Sequence, residues 1–164
     1  MTRARIRALC YAELAQSWVQ LVGHFDGVLS PLKISSSEAV EMAFLCAEEA
    51  LRLNADIPDA YVAMGRVLLC HPGVQALKDA QELFLYALDL DPDCDAARVA
   101  YAATLYTQGL YAEALQELEQ VLKNGNRHPI SYYLQALIHA ETAELEHART
   151  EIGKALKQAP RAGH

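Results

Sequence analysis

A chain of 164 residues has room for one sizeable core, and its 52 % apolar and 21 % charged residues are those of a globular protein rather than a disordered one. With a net charge of −7, a pI near 5.3 and no stripe of Lys or Arg, its surface repels nucleic acid. No stretch approaches the ~20 apolar residues that a spanning helix needs, so neither nucleic acid nor membrane is expected as a partner, and a cytoplasmic location follows.

Helical periodicity runs through the whole sequence, and no segment alternates as a half-buried strand would. The first helix is expected over residues 5–22. Arg3, Arg5 and Arg7 precede a moderately apolar run, but Glu13 and Gln16 interrupt it and no small-residue cleavage site follows. A solvated helix start is therefore expected rather than a transit segment. Residues 23–35, with Gly27 and Pro31, form the one long connection. Ser35 and Glu38 then have the spacing of a capping box that opens a helix over 36–54. Further helices are expected over 58–70, 74–90, 95–108, 111–124, 129–142 and 145–158. The breaks fall at His71-Pro72-Gly73, Asp91-Pro92, Asn124-Gly125-Asn126 and Ala159-Pro160, where proline cannot continue a helix and glycine or asparagine closes one.

One of these breaks, LYALDLDPDCDAA, places Asp89, Asp91, Asp93 and Asp95 on alternate positions and so invites a calcium loop. An EF-hand loop needs glycine at its sixth position and glutamate at its twelfth. Counting from Asp89, those positions hold Cys94 and Ala100. The stretch reads instead as a turn between two helices, with Asp93 or Asp95 capping the second. The four cysteines, Cys10, Cys46, Cys70 and Cys94, are far apart and form no C-x-x-C pair, so buried free thiols are expected.

The helices repeat. A slide of 34 residues carries Ala80, Phe84, Ala87 and Leu88 onto Ala114, Leu118, Val121 and Leu122, and a second slide reaches Ala148, Ile152, Ala155 and Leu156. A backward slide of 37 reaches Ala43, Ala47, Ala50 and Leu51. The first helix of each pair repeats as well, with Tyr61, Met64, Gly65 and Leu68 recurring as Arg98, Tyr101, Ala102 and Leu105, then as Tyr132, Gln135, Ala136 and His139. Two helices per period of this length are the mark of a stacked solenoid.

Residues 95–128 carry the pattern Y-A-x-x-L-Y-x-x-G-x-Y-x-E-A-L through Tyr101, Ala102, Leu105, Gly109, Tyr111 and Ala114, and this resembles the tetratricopeptide repeat (TPR) family. The units at 58–94 and 129–162 end in the expected prolines, Pro92 and Pro160. Residues 8–54 look like a degenerate first unit with Tyr11, Leu14, Ala15 and Trp18 as its first-helix core. The family's usual tryptophan is replaced by Tyr61, Arg98 and Tyr132, and Gln135 and His139 are polar where apolar residues are usual. The resemblance implies one all-α domain over 1–164, an α-solenoid of about four antiparallel helix pairs wound as a right-handed superhelix.

It also implies that first-helix residues line a concave face. The stripe beside the core stripe is Val62, Arg66 and Leu69, then Val99, Ala103 and Tyr106, then Ile130, Tyr133 and Leu137 with Glu141 beyond. A solvated face would be Lys, Glu and Gln; this one is largely apolar or aromatic, as partner sites are. Tyr106 and Tyr133 are its expected anchors. Neighbouring helices in a solenoid bury part of such a stripe, so a packing role for Val62, Val99 and Leu137 stands beside the binding one. Of the Lys, Asn and Arg residues with which the family clamps a terminal carboxylate, only Arg66 has a counterpart.

Catalytic patterns are weak. His24, His71, His128, His139, His147 and His164 are scattered, and the eight-residue spacing of His139 and His147 gives no zinc pair. Ser35, Ser36 and Ser37 lack a nucleophile-elbow context, and no Gly-rich phosphate loop exists. The expectation is a non-catalytic adaptor that needs no cofactor or metal and holds a peptide or helix of another protein. The alternatives are a small acidic TPR chaperone of a bacterial secretion system, shielding apolar client segments, and a self-assembling subunit. Against the last stands the helix over 145–158, where His147, Arg149, Glu151, Lys154 and Lys157 promise the polar outer face of a capping repeat.

Overall fold

The computed structural model describes residues 2–22, 36–70, 73–123, 125, 129–142 and 145–158, and among them every regular element is an α-helix. In chain order these are α1 (Arg3–Val22), α2 (Ser36–Leu53), α3 (Pro58–Leu69), α4 (Val74–Leu90), α5 (Asp95–Thr107), α6 (Tyr111–Lys123), α7 (Pro129–Glu141) and α8 (Leu145–Gln158). Their ends lie within two residues of the expected ones. The long connection at 23–35, its capping serine Ser35, and His24, His71, Pro72, Asn124, Asn126, His128, Ala159, Pro160 and His164 lie outside the described residues.

The turns show why the helices stop where they do. Gly109 takes φ +77° after α5, with its N–H donating to Tyr106 C=O and the Leu110 N–H reaching back to Leu105 C=O, both at 3.0 Å. This pair of bonds satisfies carbonyls the helix leaves open, and it needs a left-handed residue that glycine supplies cheaply. The acidic stretch is a turn between two helices, and Asp91 and Cys94 take part in building it. Asp91 Oδ1 accepts the Asp93 N–H at 3.0 Å, and Cys94 stands immediately before α5, where its sulfur receives the Ala97 and Ala96 N–H groups. One repeat earlier the same turn is made by Asn54, whose Oδ1 accepts the Asp56 N–H at 3.0 Å ahead of Pro58. Asn and Asp hold such turns because a short side-chain carbonyl reaches the backbone two residues on.

The chain forms two compact units, Met1–Ala97 and Arg98–His164. In the first, α1 packs against α2 and α3, α2 against α3, and α3 against α4. The contacts use small residues: Ala8, Ala12, Ala50 and Ala60 surround Ile57, while Ala15, Ala47 and Ala63 meet Cys46, with Tyr11, Trp18 and Met64 closing the edges. Gly65 lets Phe84 of α4 cross α3 at close range, since a methyl group there would stand 2.8 Å from Phe84 Cζ and nearer still to Cε1. In the second unit Val99, Ala102 and Leu105 of α5, Ala114, Leu118 and Val121 of α6, and Leu134 and Ile138 of α7 form one cluster.

The three residues at the tryptophan places all reach the second helix of their own pair. Tyr61 packs on Tyr86 with ring centroids 4.6 Å apart, and Tyr132 lies under Lys154 Nζ at 5.7 Å. Tyr86 and Lys154 are equivalent under the repeat, so an aromatic pair in one unit is a cation–π pair in another. Arg98 instead pairs with Glu117 at 2.7 Å.

Several expectations are corrected. Leu14 is exposed rather than core, and Cys10 is exposed while Cys46 is buried; Cys70 and Cys94 are half-buried. Ile152 and Leu156 are 48 % and 72 % exposed, so α8 does not present a purely polar outer face.

Candidate partner-binding site

In the second unit the expected stripe divides by depth. Val99 is buried within the cluster, a core residue rather than a lining one. Ala103, Tyr106 and Leu137 lie half-buried against the same cluster. Ile130 and Tyr133 stand out at 47 % and 55 % exposure. The reason is helical: Val99 faces inward with Ala102, whereas Ile130 and Tyr133 sit one step round α7 from the buried Ser131 and Leu134. Tyr106 leans on Tyr111 with ring centroids 5.8 Å apart. Burial pushes its phenol above the usual value, and Glu141, Tyr111 and Tyr133 push it in the same direction. Tyr106 is therefore a neutral hydrogen-bond donor set in an apolar floor, beside a largely free Tyr133.

In the first unit the stripe has a different chemistry. Val62 is fully buried and belongs to the core, while Leu69 is exposed. Between them Arg66 is half-buried and donates from Nη1 to Gln16 Oε1 of α1 at 3.3 Å. Burial lowers the Arg66 pKa, and Asp59, about two helical turns away, opposes that shift. Burial raises the Asp59 carboxyl, Glu13 and Asp91 add to the rise, and Arg66 counteracts it. The apolar character expected of the whole stripe therefore holds for the α5–α7 portion, whereas the α3 portion is polar and charge-balanced.

The sequence reading missed three features. His139 and His147 are unrelated by helical spacing, yet the α7–α8 hairpin brings their rings to 5.3 Å between centroids. Met42 and Leu45 are 41 % and 50 % exposed, and Leu45 edges an open groove of about 560 Å³ with Glu48, Glu49, Leu51, Arg52 and Met64. Their offset from the Ala43, Ala47 and Ala50 stripe was the available signal. Ile152 and Leu156 were legible as core by periodicity, and among the described residues no helix covers them. Among the described residues no group of three His, Cys, Asp or Glu side chains could hold a metal ion, and no helix is long and apolar enough to cross a membrane.

Comparison with known proteins agrees with this architecture. A tetratricopeptide repeat family model matches residues 74–138. Human tetratricopeptide repeat protein 6 is 27 % identical over 108 residues, which is 66 % of this chain and only 21 % of that protein. The chain thus spans about a fifth of that relative's length. Among solved structures, MamA (residues 41 to the end) from Desulfovibrio magneticus RS-1 superposes with a TM-score of 0.58 at 23 % identity, over 92 % of this chain and 76 % of that one. PilF from Pseudomonas aeruginosa gives 0.64 at 20 % identity, over 90 % and 62 %. Residues 74–138 thus match the tetratricopeptide repeat family, and the fold of the chain is that of tetratricopeptide repeat proteins.

Proposed function

We propose that the protein is a non-catalytic interaction module whose α5–α7 face takes an apolar peptide or helix segment of another protein. The observation that carries this reading is the exposure of Ile130 and Tyr133 beside the half-buried Tyr106 and Leu137. Contiguous apolar surface with a tyrosine at its centre is the composition of interface hot spots, since tyrosine offers a rigid contact area and a polar tip. Tyr106 supplies a donor that stays protonated at neutral pH.

The test uses a photo-crosslinking amino acid at position 133 in cells that express the protein, with Lys123 of α6 as the control position. A discrete cross-linked protein at 133 that is absent at 123 is expected. The Ile130→Glu, Tyr133→Glu double variant is expected to weaken binding of that protein by roughly tenfold or more, with an unchanged circular dichroism spectrum. Both positions point away from the cluster, so the fold survives the change. Binding that is indifferent to the double variant would move the site elsewhere.

A further inference from the structure

The repeat makes the exposed end of α8 interpretable. Ile152 corresponds to Phe84 of α4 and Leu118 of α6, both fully buried. Leu118 is covered by Leu134 and Ile138 of α7, the first helix of the next pair. Among the described residues no helix covers Ile152 and Leu156 in the same way. Between them is Gly153, where an added methyl group would meet nothing within 4 Å. A glycine inside a helix costs stability relative to alanine, and among the described residues no neighbour requires one here. Glycine at such a place lets a second helix come close. Arg149 and Lys157 flank the apolar line and are exposed, so this strip is basic in a chain of net charge −7.

A surface of matching size and opposite charge exists on α2. Met42 and Leu45 are exposed beside the groove, and the exposed Glu41 and Glu48 lie on the same side of the helix. Glu49, by contrast, is engaged by Arg52 at 2.6 Å.

We propose that α8 of one molecule docks antiparallel along α2 of a second copy. In that register Ile152 meets Leu45, Leu156 meets Met42, and Gly153 sits at the closest approach. Arg149 then faces Glu48, and Lys157 faces Glu41. One antiparallel alignment satisfies all four pairs at once, whereas the parallel one sets Arg149 beside Glu41 but leaves Lys157 beside the engaged Glu49 and Arg52. The apolar pairs supply the attraction, and the charge pairs fix direction and register. The interface joins two different surfaces, so it is heterologous. Four apolar side chains make a small contact, which places the association among weak ones.

The test is sedimentation velocity of the full chain from about 10 µM to about 1 mM, the range in which weak contacts populate. The weight-average mass is expected to climb above the 18.1 kDa of one chain as concentration rises. Leu156→Glu is expected to return it to one chain. Arg149→Glu is expected to weaken association by roughly tenfold, because an attraction becomes a repulsion, and adding Glu48→Arg is expected to restore it. All three residues are exposed, so circular dichroism should be unchanged in each variant. A single-chain mass throughout overturns the proposal, as does association that survives Leu156→Glu or a charge reversal that fails to restore binding. If Ile130→Glu with Tyr133→Glu abolishes association while Leu156→Glu does not, the copies meet through the α5–α7 face and the α8–α2 contact is refuted.

Discussion

At the scale of single residues, position in the fold rather than residue type sets the chemistry. The Asp59 carboxyl on α3 is drawn above its ordinary value of 3.8, first by burial and then by Glu13 and Asp91. A carboxyl raised in the folded state binds its proton more tightly there than in the unfolded chain. It therefore stabilises the fold below the ordinary value, and that contribution is lost as pH rises through the raised one. Asp59→Asn is expected to abolish this portion of the pH dependence, leaving a flatter plot of melting temperature against pH on the acidic side of neutrality. An unchanged slope would mean that Asp59 is solvated like any surface aspartate. The same logic separates the thiols: burial raises Cys46, Cys70 and Cys94, so each is less nucleophilic than a free cysteine at neutral pH.

At the scale of elements, helix boundaries follow from local chemistry and helix spacing follows from residue volume. Among the described residues Asp91-Pro92, Gly73 and Gly125 stand between helices where breaks were expected, because the constraints of proline and glycine act within two or three residues of themselves. Spacing is a property of pairs. Gly65 is an unremarkable helical glycine until Phe84 is laid across it. Gly65→Ala is expected to cost about 1–3 kcal/mol in chemical denaturation, the usual penalty for forcing a methyl group into a filled contact. Phe84→Leu should recover part of that loss in the double variant, since the shorter side chain vacates the clash. If the two changes are merely additive, α3 and α4 are not in the contact that the geometry shows. The tryptophan places make a related point, because Tyr61, Arg98 and Tyr132 solve one packing problem with a ring pair, an ion pair and a cation–π pair.

At the scale of the molecule, stability is distributed along the chain rather than pooled in one core. The cluster around Leu118 draws only on residues beyond Arg98, and those around Ile57 and Cys46 only on residues before Ala97. In repeat proteins stability is close to a sum of nearest-neighbour terms. Leu118→Ala should therefore remove about 2–5 kcal/mol, the cost of a buried leucine, from amide protection across α5–α8. Hydrogen exchange is expected to show α1–α3 losing clearly less. A uniform loss from α1 to α8 would show that the two units unfold as one.

The sequence alone determined the helices, the period and the family resemblance, because each is written in local constraints or in a recurrence along one dimension. Phe84, Leu118 and Ala47 were identifiable as core for the same reason. Depth and neighbourhood were decided only by tertiary structure. Val62, Arg66 and Leu69 share one stripe by spacing, yet one is core, one is held by Gln16 and one is exposed. His139 and His147 meet across a hairpin that no spacing rule anticipates. Ile152 carries the same pattern as Leu118, yet it is exposed, whereas Leu118 is covered by Leu134 and Ile138. Periodicity tells which way a side chain points on its own helix; whether another helix stands in front of it is a fact of three dimensions.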